Sequence, residues 1–372
     1  MLEKYVDYVL MCSGCAYCLS MCSSFDRFKL EPYGARGLMT IARLILEGKL
    51  DLTIIPPDII YTCPNCGYCD TRCRGENTDV LEALRADLVK KGKGLPKHIG
   101  FGEWAEKGHN PYYEPHEERF AWLPKIERKI PKKAECIYFA GCTSAYRIQS
   151  IAKATVNVLN TAGVDFITLG EEEWCCGSPL LRTGQRYLAE ELAKHNLEAI
   201  ERTGVESVVM SCAGCYRVFK RDYPKLGLKP DFEVLHTTEL FRELLSEGRL
   251  KPKKKIEMKI TYHDPCHLGR HGGVYEPPRD VIKNISGLEL LEMTWIKEET
   301  RCCGAGGGVK SGYPNLALEW AQARVADAEL TGAQAIVSAC PFCQRNLSDA
   351  IETYGLTPSK VYDISELLAQ VV

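Results

Sequence analysis

The chain lacks any apolar run approaching the ~20 residues that cross a bilayer. Its first ten residues carry Glu3, Lys4 and Asp7 and no apolar h-region, so they do not read as a signal peptide. A basic excess is missing too: 47 Lys and Arg against 49 Asp and Glu leave a formal charge of −2. That balance argues against a nucleic-acid partner and against direct adhesion to anionic lipid. No flavin-binding fingerprint is present, so flavin chemistry would need a partner chain. These absences lead us to expect a cytoplasmic protein, at most peripheral on the inner face of a membrane through a partner subunit.

What is present is ordinary in bulk and unusual in one residue. The 372 residues are 45% hydrophobic and 26% charged, which suits a globular chain with two or three cores. The exception is 19 cysteines with no export signal. In a reducing compartment, metal ligation is the better reading than a disulfide framework. All but Cys136 fall into sets of four, four, five and five. Cys136 lies in an apolar strand-like stretch and reads as a small buried hydrophobe.

The first two sets are Cys12, Cys15, Cys18, Cys22 and Cys63, Cys66, Cys69, Cys73, both C-x2-C-x2-C-x3-C. This is the spacing of two-cluster ferredoxins, in which the fourth cysteine serves the other cluster. The expected ligands are therefore Cys12, Cys15, Cys18 and Cys73 for one [4Fe–4S] cubane, and Cys63, Cys66, Cys69 and Cys22 for the other. Structural zinc is the rival reading. Ser23 and Arg74 stand where the ferredoxin run has proline. Residues 34–50 and 79–91 carry apolar side chains at helical spacing. The N-terminal region therefore resembles the α-helical ferredoxin domain of fumarate-reductase-type iron–sulfur subunits.

Residues 96–133 hold five prolines and six aromatics, which predicts an irregular connector packed on its neighbours. His109-Asn110-Pro111 within it reads as a turn. From residue 134 the pattern alternates. Strands are expected at 136–140, 164–169, 206–210, 232–235, 259–263, 288–293 and 335–338. Helices are expected at 144–161, 185–203, 238–247, 314–330 and from 341 and 365. Alternation of this kind implies parallel sheets with crossover helices.

The last two sets repeat at a near-constant offset. Cys142 to Cys266 is 124 residues, Cys175 to Cys302 is 127, and Cys212 to Cys340 and Cys215 to Cys343 are each 128. Such an offset marks an internal duplication. The lysine-rich stretch 249–255 between the copies reads as a solvated linker. Each copy holds a lone cysteine, a Cys-Cys-Gly and a closing C-x2-C: Cys142, Cys175, Cys176, Cys212, Cys215, then Cys266, Cys302, Cys303, Cys340, Cys343. Cysteines at the carboxyl ends of parallel strands share one rim and can converge. Five thiols exceed what one cubane needs. Spacing alone leaves a metal cluster and a redox-active dithiol both open.

The C…CCG…CxxC pattern, present twice behind two ferredoxin runs, resembles the heterodisulfide reductase D family over nearly the whole chain. It is also similar to the iron–sulfur subunits of glycolate, lactate and anaerobic glycerol-3-phosphate dehydrogenases. The first resemblance implies a non-cubane [4Fe–4S] cluster in each complete CCG set, with both clusters cleaving the disulfide of coenzyme M and coenzyme B. The second implies an electron-relay subunit beside an FAD-linked dehydrogenase. The implied partners are a small thiol or disulfide substrate and an electron-transferring subunit, either a b-type cytochrome or that dehydrogenase. The expected fold is an α+β multidomain chain: a helical ferredoxin-like domain at 1–95, the connector at 96–133, and two α/β, Rossmann-like CCG domains at 134–250 and 251–372.

Three further features carry weaker readings. His263 and His267 flank Asp264-Pro265-Cys266 and would serve as a proton source for a departing thiolate, or as hydrogen-bond partners of sulfur or backbone. Residues 304–308 (GAGGG) lack the context of a phosphate loop and read as backbone room around a cluster or substrate. Lys310 beside them is either an attractor for an anionic substrate or a plain surface lysine.

Overall fold

The computed structural model describes residues 1–123 and 134–372. The expectations resting on Pro124 and Pro131 fall outside them. The N-terminal region is helical, with no strand among the described residues before Cys136. Helices Ala35–Leu46 and Asn77–Lys90 bury Leu38, Met39, Val80, Leu84 and Leu88 with Leu2, Val9 and Tyr61 in a core of their own.

The remainder forms two four-stranded sheets in which every pairing is parallel. The first contains β1 (Cys136–Phe139), β2 (Phe166–Ile167), β3 (Ser207–Met210) and β4 (Glu233–His236) in the order β2-β1-β3-β4. The second contains β5 (Met258–His263), β6 (Leu288–Leu290), β7 (Ala335–Ser338) and β8 (Val361–Asp363) in the order β6-β5-β7-β8. Identical order in both sheets is the structural form of the duplication. The central strands are largely apolar and buried because helices cover both their faces.

Each copy completes the other. Helix Thr237–Ser246 of the first packs on Glu276–Lys283 of the second, and the last helix, Ile364–Val371, packs on Gln149–Thr161 of the first. Both reaching helices begin with a capping box, His236 with Glu239 and Asp363 with Glu366. The side chains of the two sheets merge into a single core.

The structure corrects several expectations. Pro96 begins a regular helix, Pro96–Gly108, inside the supposedly irregular connector. Proline is tolerated at a first helical position because no N–H is required there. The helix expected at 144–161 is two, Gly141–Tyr146 and Gln149–Thr161, broken at Ile148. The edge strands β2 and β6 are shorter than the apolar runs that encode them, and β8 lies outside the expected strands. The linker lysines are solvated, yet the amides of Lys253 and Lys254 donate to the Val371 carbonyl.

One residue ties the three regions together. The fully buried Arg85 donates to the carbonyls of Ile60 and Cys63 in the N-terminal region, Arg182 in the first copy and Gly307 in the second. His98 donates from Nε2 to the Gly308 carbonyl at 2.8 Å; burial pushes its pKa down to about 4, so the ring stays neutral. Arg85→Met would leave four buried carbonyls short of a donor. We expect a loss of about 3–5 kcal/mol of stability and a Tm lower by on the order of 10 °C. A melt unchanged by this substitution would contradict the assignment of Arg85 as the junction.

Candidate metal centres

The rim formed by the carboxyl ends of the central strands gathers the cysteines. Cys142 follows β1 by three residues and Cys212 follows β3 by two; Cys266 follows β5 by three and Cys340 follows β7 by two. In each sheet these strands are the adjacent pair at which the strand order switches direction, where α/β sheets open a crevice. The Cys-Cys-Gly segments arrive on the loops after β2 and β6. Gly177 and Gly304 hold left-handed backbone at φ +81° and +84°. A Cβ on Gly304 would stand 2.7 Å from the Ala317 carbonyl, and one on Gly177 3.3 Å from Ala189. These glycines therefore seat the cysteine pair against a helix; they do not make room for a cluster.

The ten thiols form one line of contacts. In the first copy Cys142 touches Cys175, and Cys175 touches Cys176. Cys176 touches Cys215, and Cys215 touches Cys212. In the second, Cys266 touches Cys302, Cys302 touches Cys303, and Cys343 touches Cys340. The thiols of Cys303 and Cys343 are 3.2 Å apart. Cys212 touches Cys340 across the boundary between the copies. At the far end Cys302 also meets Cys66 of the N-terminal region.

The N-terminal cysteines form two neighbourhoods that share Cys22. Cys18 has Cys12, Cys22 and Cys73 around it. Cys22, Cys63, Cys66 and Cys69 line a single cavity with Tyr33, Leu38 and Tyr68. The structure thus brings Cys73 to the first run and Cys22 to the second. Cys15 is exposed at the tip of its loop. Cys136 is buried in β1, apart from the sets.

The donor chemistry fits metal. Burial pushes the Cys18 thiol up to about 11 and Cys63 up to about 12, and holds Cys142 well above its usual value, whereas hydrogen bonds from neighbouring thiols bring Cys176 down to about 6 and hold Cys212 and Cys303 low. Ionising several such thiols together requires a cation among them, which is what iron ligation supplies. Among the described residues four arginines are fully buried: Arg85, Arg119, Arg217 and Arg324. Arg119 donates to Cys142 Sγ at 3.2 Å and pairs with buried Glu173 at 2.8 Å. Glu173 also accepts from the amides of Ala140 and Gly141. Arg324 donates to His263 Nδ1 at 3.1 Å, so the proton of that ring sits on Nε2. A nitrogen of His263 and the thiols of Cys303 and Cys343 lie within 4.8 Å of one another. His267 Nε2 is 3.1 Å from Arg217 Nη1, at the boundary between the copies.

Sequence reasoning missed all four arginines, because a buried arginine and a surface one look alike in a string. It also missed Trp174, next to Cys175, stacked between His109 at 3.7 Å and His195 at 3.4 Å. The His109 carbonyl accepts from the Cys175 amide. The glycines at 306 and 307 face the N-terminal backbone, since a Cβ on Gly307 would lie 2.5 Å from the Cys63 carbonyl. The room read there is therefore filled by chain. Lys310 is neutralised by Asp349 at 2.6 Å and bonded to Asn346 at 2.7 Å.

Comparison with known proteins agrees with this layout. The family model of a 4Fe-4S dicluster domain matches residues 8–77, and that of a cysteine-rich domain matches residues 136–220 and again 260–348. The chain is 47% identical over 391 residues to the D subunit of dihydromethanophenazine:CoB--CoM heterodisulfide reductase from Methanosarcina acetivorans, covering 96% of this chain and 93% of that protein. It is 41% identical over 384 residues to the protein of the same name in Methanosarcina mazei, with the same coverage. A solved structure of a hypothetical protein from Helicobacter pylori matches with a TM-score of 0.64 over 99% of this chain and 74% of that one. At 11% identity that likeness concerns the fold alone. Two cysteine-rich domains behind a dicluster domain, at this level of identity, make the chain a member of the heterodisulfide reductase D family and an iron–sulfur oxidoreductase subunit.

Proposed function

We propose that this chain reduces a small-molecule disulfide to two thiols, a disulfide of the coenzyme M–coenzyme B kind for which its relatives are named. The observation that carries this reading is the unbroken line of thiol contacts from Cys66 through Cys302 to both five-cysteine sets, which meet at Cys212 and Cys340. A relay with no chemistry at its end has little use for ten cysteines on a shared rim.

In this reading residues 1–95 are the dicluster domain, 96–133 the connector, and 134–250 and 251–372 two Rossmann-like CCG domains. Cys12, Cys15, Cys18 and Cys73 hold one cubane; Cys63, Cys66, Cys69 and Cys22 hold the other. Cys142, Cys175, Cys176, Cys212 and Cys215 hold one non-cubane [4Fe–4S] cluster, and Cys266, Cys302, Cys303, Cys340 and Cys343 a second. When bound, these clusters supply one-electron carriers and iron that can take a thiolate. The overall step consumes two electrons and two protons, breaks one S–S bond and forms two S–H bonds. The protein's own residues hold the ligands in place. Arg119 fixes Cys142, and Arg324 orients His263 so that its Nε2–H is free to donate to the sulfurs of Cys303 and Cys343. His267 braces Arg217 between the copies. We read both histidines as hydrogen-bonding residues that tune the sets.

Electrons enter from a partner subunit, a b-type cytochrome or a flavoprotein, at the loop of exposed Cys15, where Leu10, Met11 and Tyr17 are also exposed. Among the described residues no helix is long and apolar enough to cross a membrane, so contact with one would come through that partner. The rival reading, an electron-relay subunit beside an FAD-linked 2-hydroxy-acid or glycerol-3-phosphate dehydrogenase, needs the same entry point but no disulfide turnover.

The cluster-loaded chain is expected to oxidise reduced methyl viologen when given coenzyme M–coenzyme B heterodisulfide. No turnover with all clusters in place would leave the relay reading. Iron analysis should return about sixteen atoms per chain, four for each of four sets. Cys302→Ser should lower this to about twelve while the cubane EPR signals persist; an unchanged iron content would remove Cys302 from the ligand set.

A further inference from the structure

The two copies carry an arginine at the same place. Arg217 and Arg345 each stand two residues after the second cysteine of a C-x2-C and are 128 positions apart, the offset of the cysteines themselves. Their surroundings differ. Arg217 is fully buried and held by several partners: it reaches Asn65 Oδ1 at 3.0 Å, His267 at 3.1 Å, His271 at 3.2 Å and Glu82 at 3.1 Å. That side of the paired sets is closed by the N-terminal region. Arg345 is half-buried, and its side chain has no hydrogen bond or ion pair among the described residues.

Three observations place Arg345 beside the paired sets. Helix Pro341–Tyr354, which carries it, packs on helix Gly141–Tyr146 of the first copy. The Tyr112 hydroxyl, bonded to Thr143 Oγ1 at 2.9 Å, lies within electrostatic reach of Arg345, Cys142 and Cys212 together. Cys212 is half-buried where the other nine of the ten are buried, and its thiol meets Cys340 of the opposite copy. The other cations near this face are already neutralised. Arg147 pairs with Glu114 at 2.5 Å, and Lys310 pairs with Asp349.

We propose that the site shared by the two cysteine sets opens to solvent at Cys212, and that Arg345 binds an anionic group (a carboxylate, sulfonate or phosphate) of the molecule that enters there. The physical reason is that an unpaired guanidinium kept half out of water offers a planar fork of donors to an oxyanion. The matching position on the other side is already filled by protein. Duplication built two equivalent mouths; the N-terminal region plugged one and left the other with its cation free. The identity of the entrant as a disulfide rests on the reductase reading. The opening and its charge preference do not.

Calorimetry on the oxidised, cluster-loaded full chain tests this without turnover. The probes are 3,3′-dithiodipropionate, which carries two carboxylates, and the neutral bis(2-hydroxyethyl) disulfide. Arg345→Gln should weaken dithiodipropionate binding by about tenfold to a hundredfold, the range of one charge-assisted contact, with a much smaller effect on the neutral probe. Arg345→Lys should restore most of the affinity. Lys310→Gln should leave it within about twofold, since that charge is already paired. Melting temperature and iron content report whether each variant is intact. Equal binding by wild type and Arg345→Gln, including no binding by either, overturns the proposal, as does an equal loss for both probes. If dithiodipropionate binds in an Arg345-dependent way but is never reduced by the chain with reduced methyl viologen, the reductase reading falls and the opening stands.

Discussion

Arg85 is the interaction on which the rest of the arrangement depends. A guanidinium offers five donors and no acceptor, and here it is fully buried and faces carbonyls from three chain regions. One of those carbonyls belongs to Cys63, inside the second N-terminal cysteine run. The same contact that closes the interior therefore holds that run against both sheets. The Cys66–Cys302 contact requires this closeness, and Gly307 supplies it by presenting bare backbone to Cys63.

Around that junction the molecule manages charge. Thiols packed on a dry rim resist ionisation, and a ligated cluster leaves net negative charge in a poor solvent for it. Buried arginines are placed where this charge falls: Arg119 on Cys142, Arg324 behind His263, and Arg217 between the copies. The two copies meet the need by different means. The first borrows Arg119 from the connector and balances it with Glu173. The second uses its own Arg279 paired with Asp264, beneath the loop that leads to Cys266. Duplication made the ligand sets alike, and later contacts made their surroundings unlike.

The same divergence explains which parts of the fold were legible. The strand–helix alternation was readable from 134 onward because parallel strands covered on both faces need unbroken apolar runs. The helix Pro96–Gly108 was not, because proline at a first helical turn and proline in a loop look alike without the residues that pack on them. Residues 304–308 read as space around a ligand, and glycine does mark space. Which group fills it, in this case the backbone at Cys63, depends on a segment some 240 positions away in the chain.

What the sequence by itself determined is the cysteine inventory: which cysteines belong together, that there are four sets, and that the last two are copies. Ligation imposes local spacing, and spacing survives in one dimension. Only the tertiary structure decided that the two CCG sets face each other at Cys212 and Cys340, that Cys302 adjoins Cys66, and that Arg217 is sealed while Arg345 stays free. These are contacts between residues far apart in the chain, set by how helices and sheets close over one core, and no local pattern carries them.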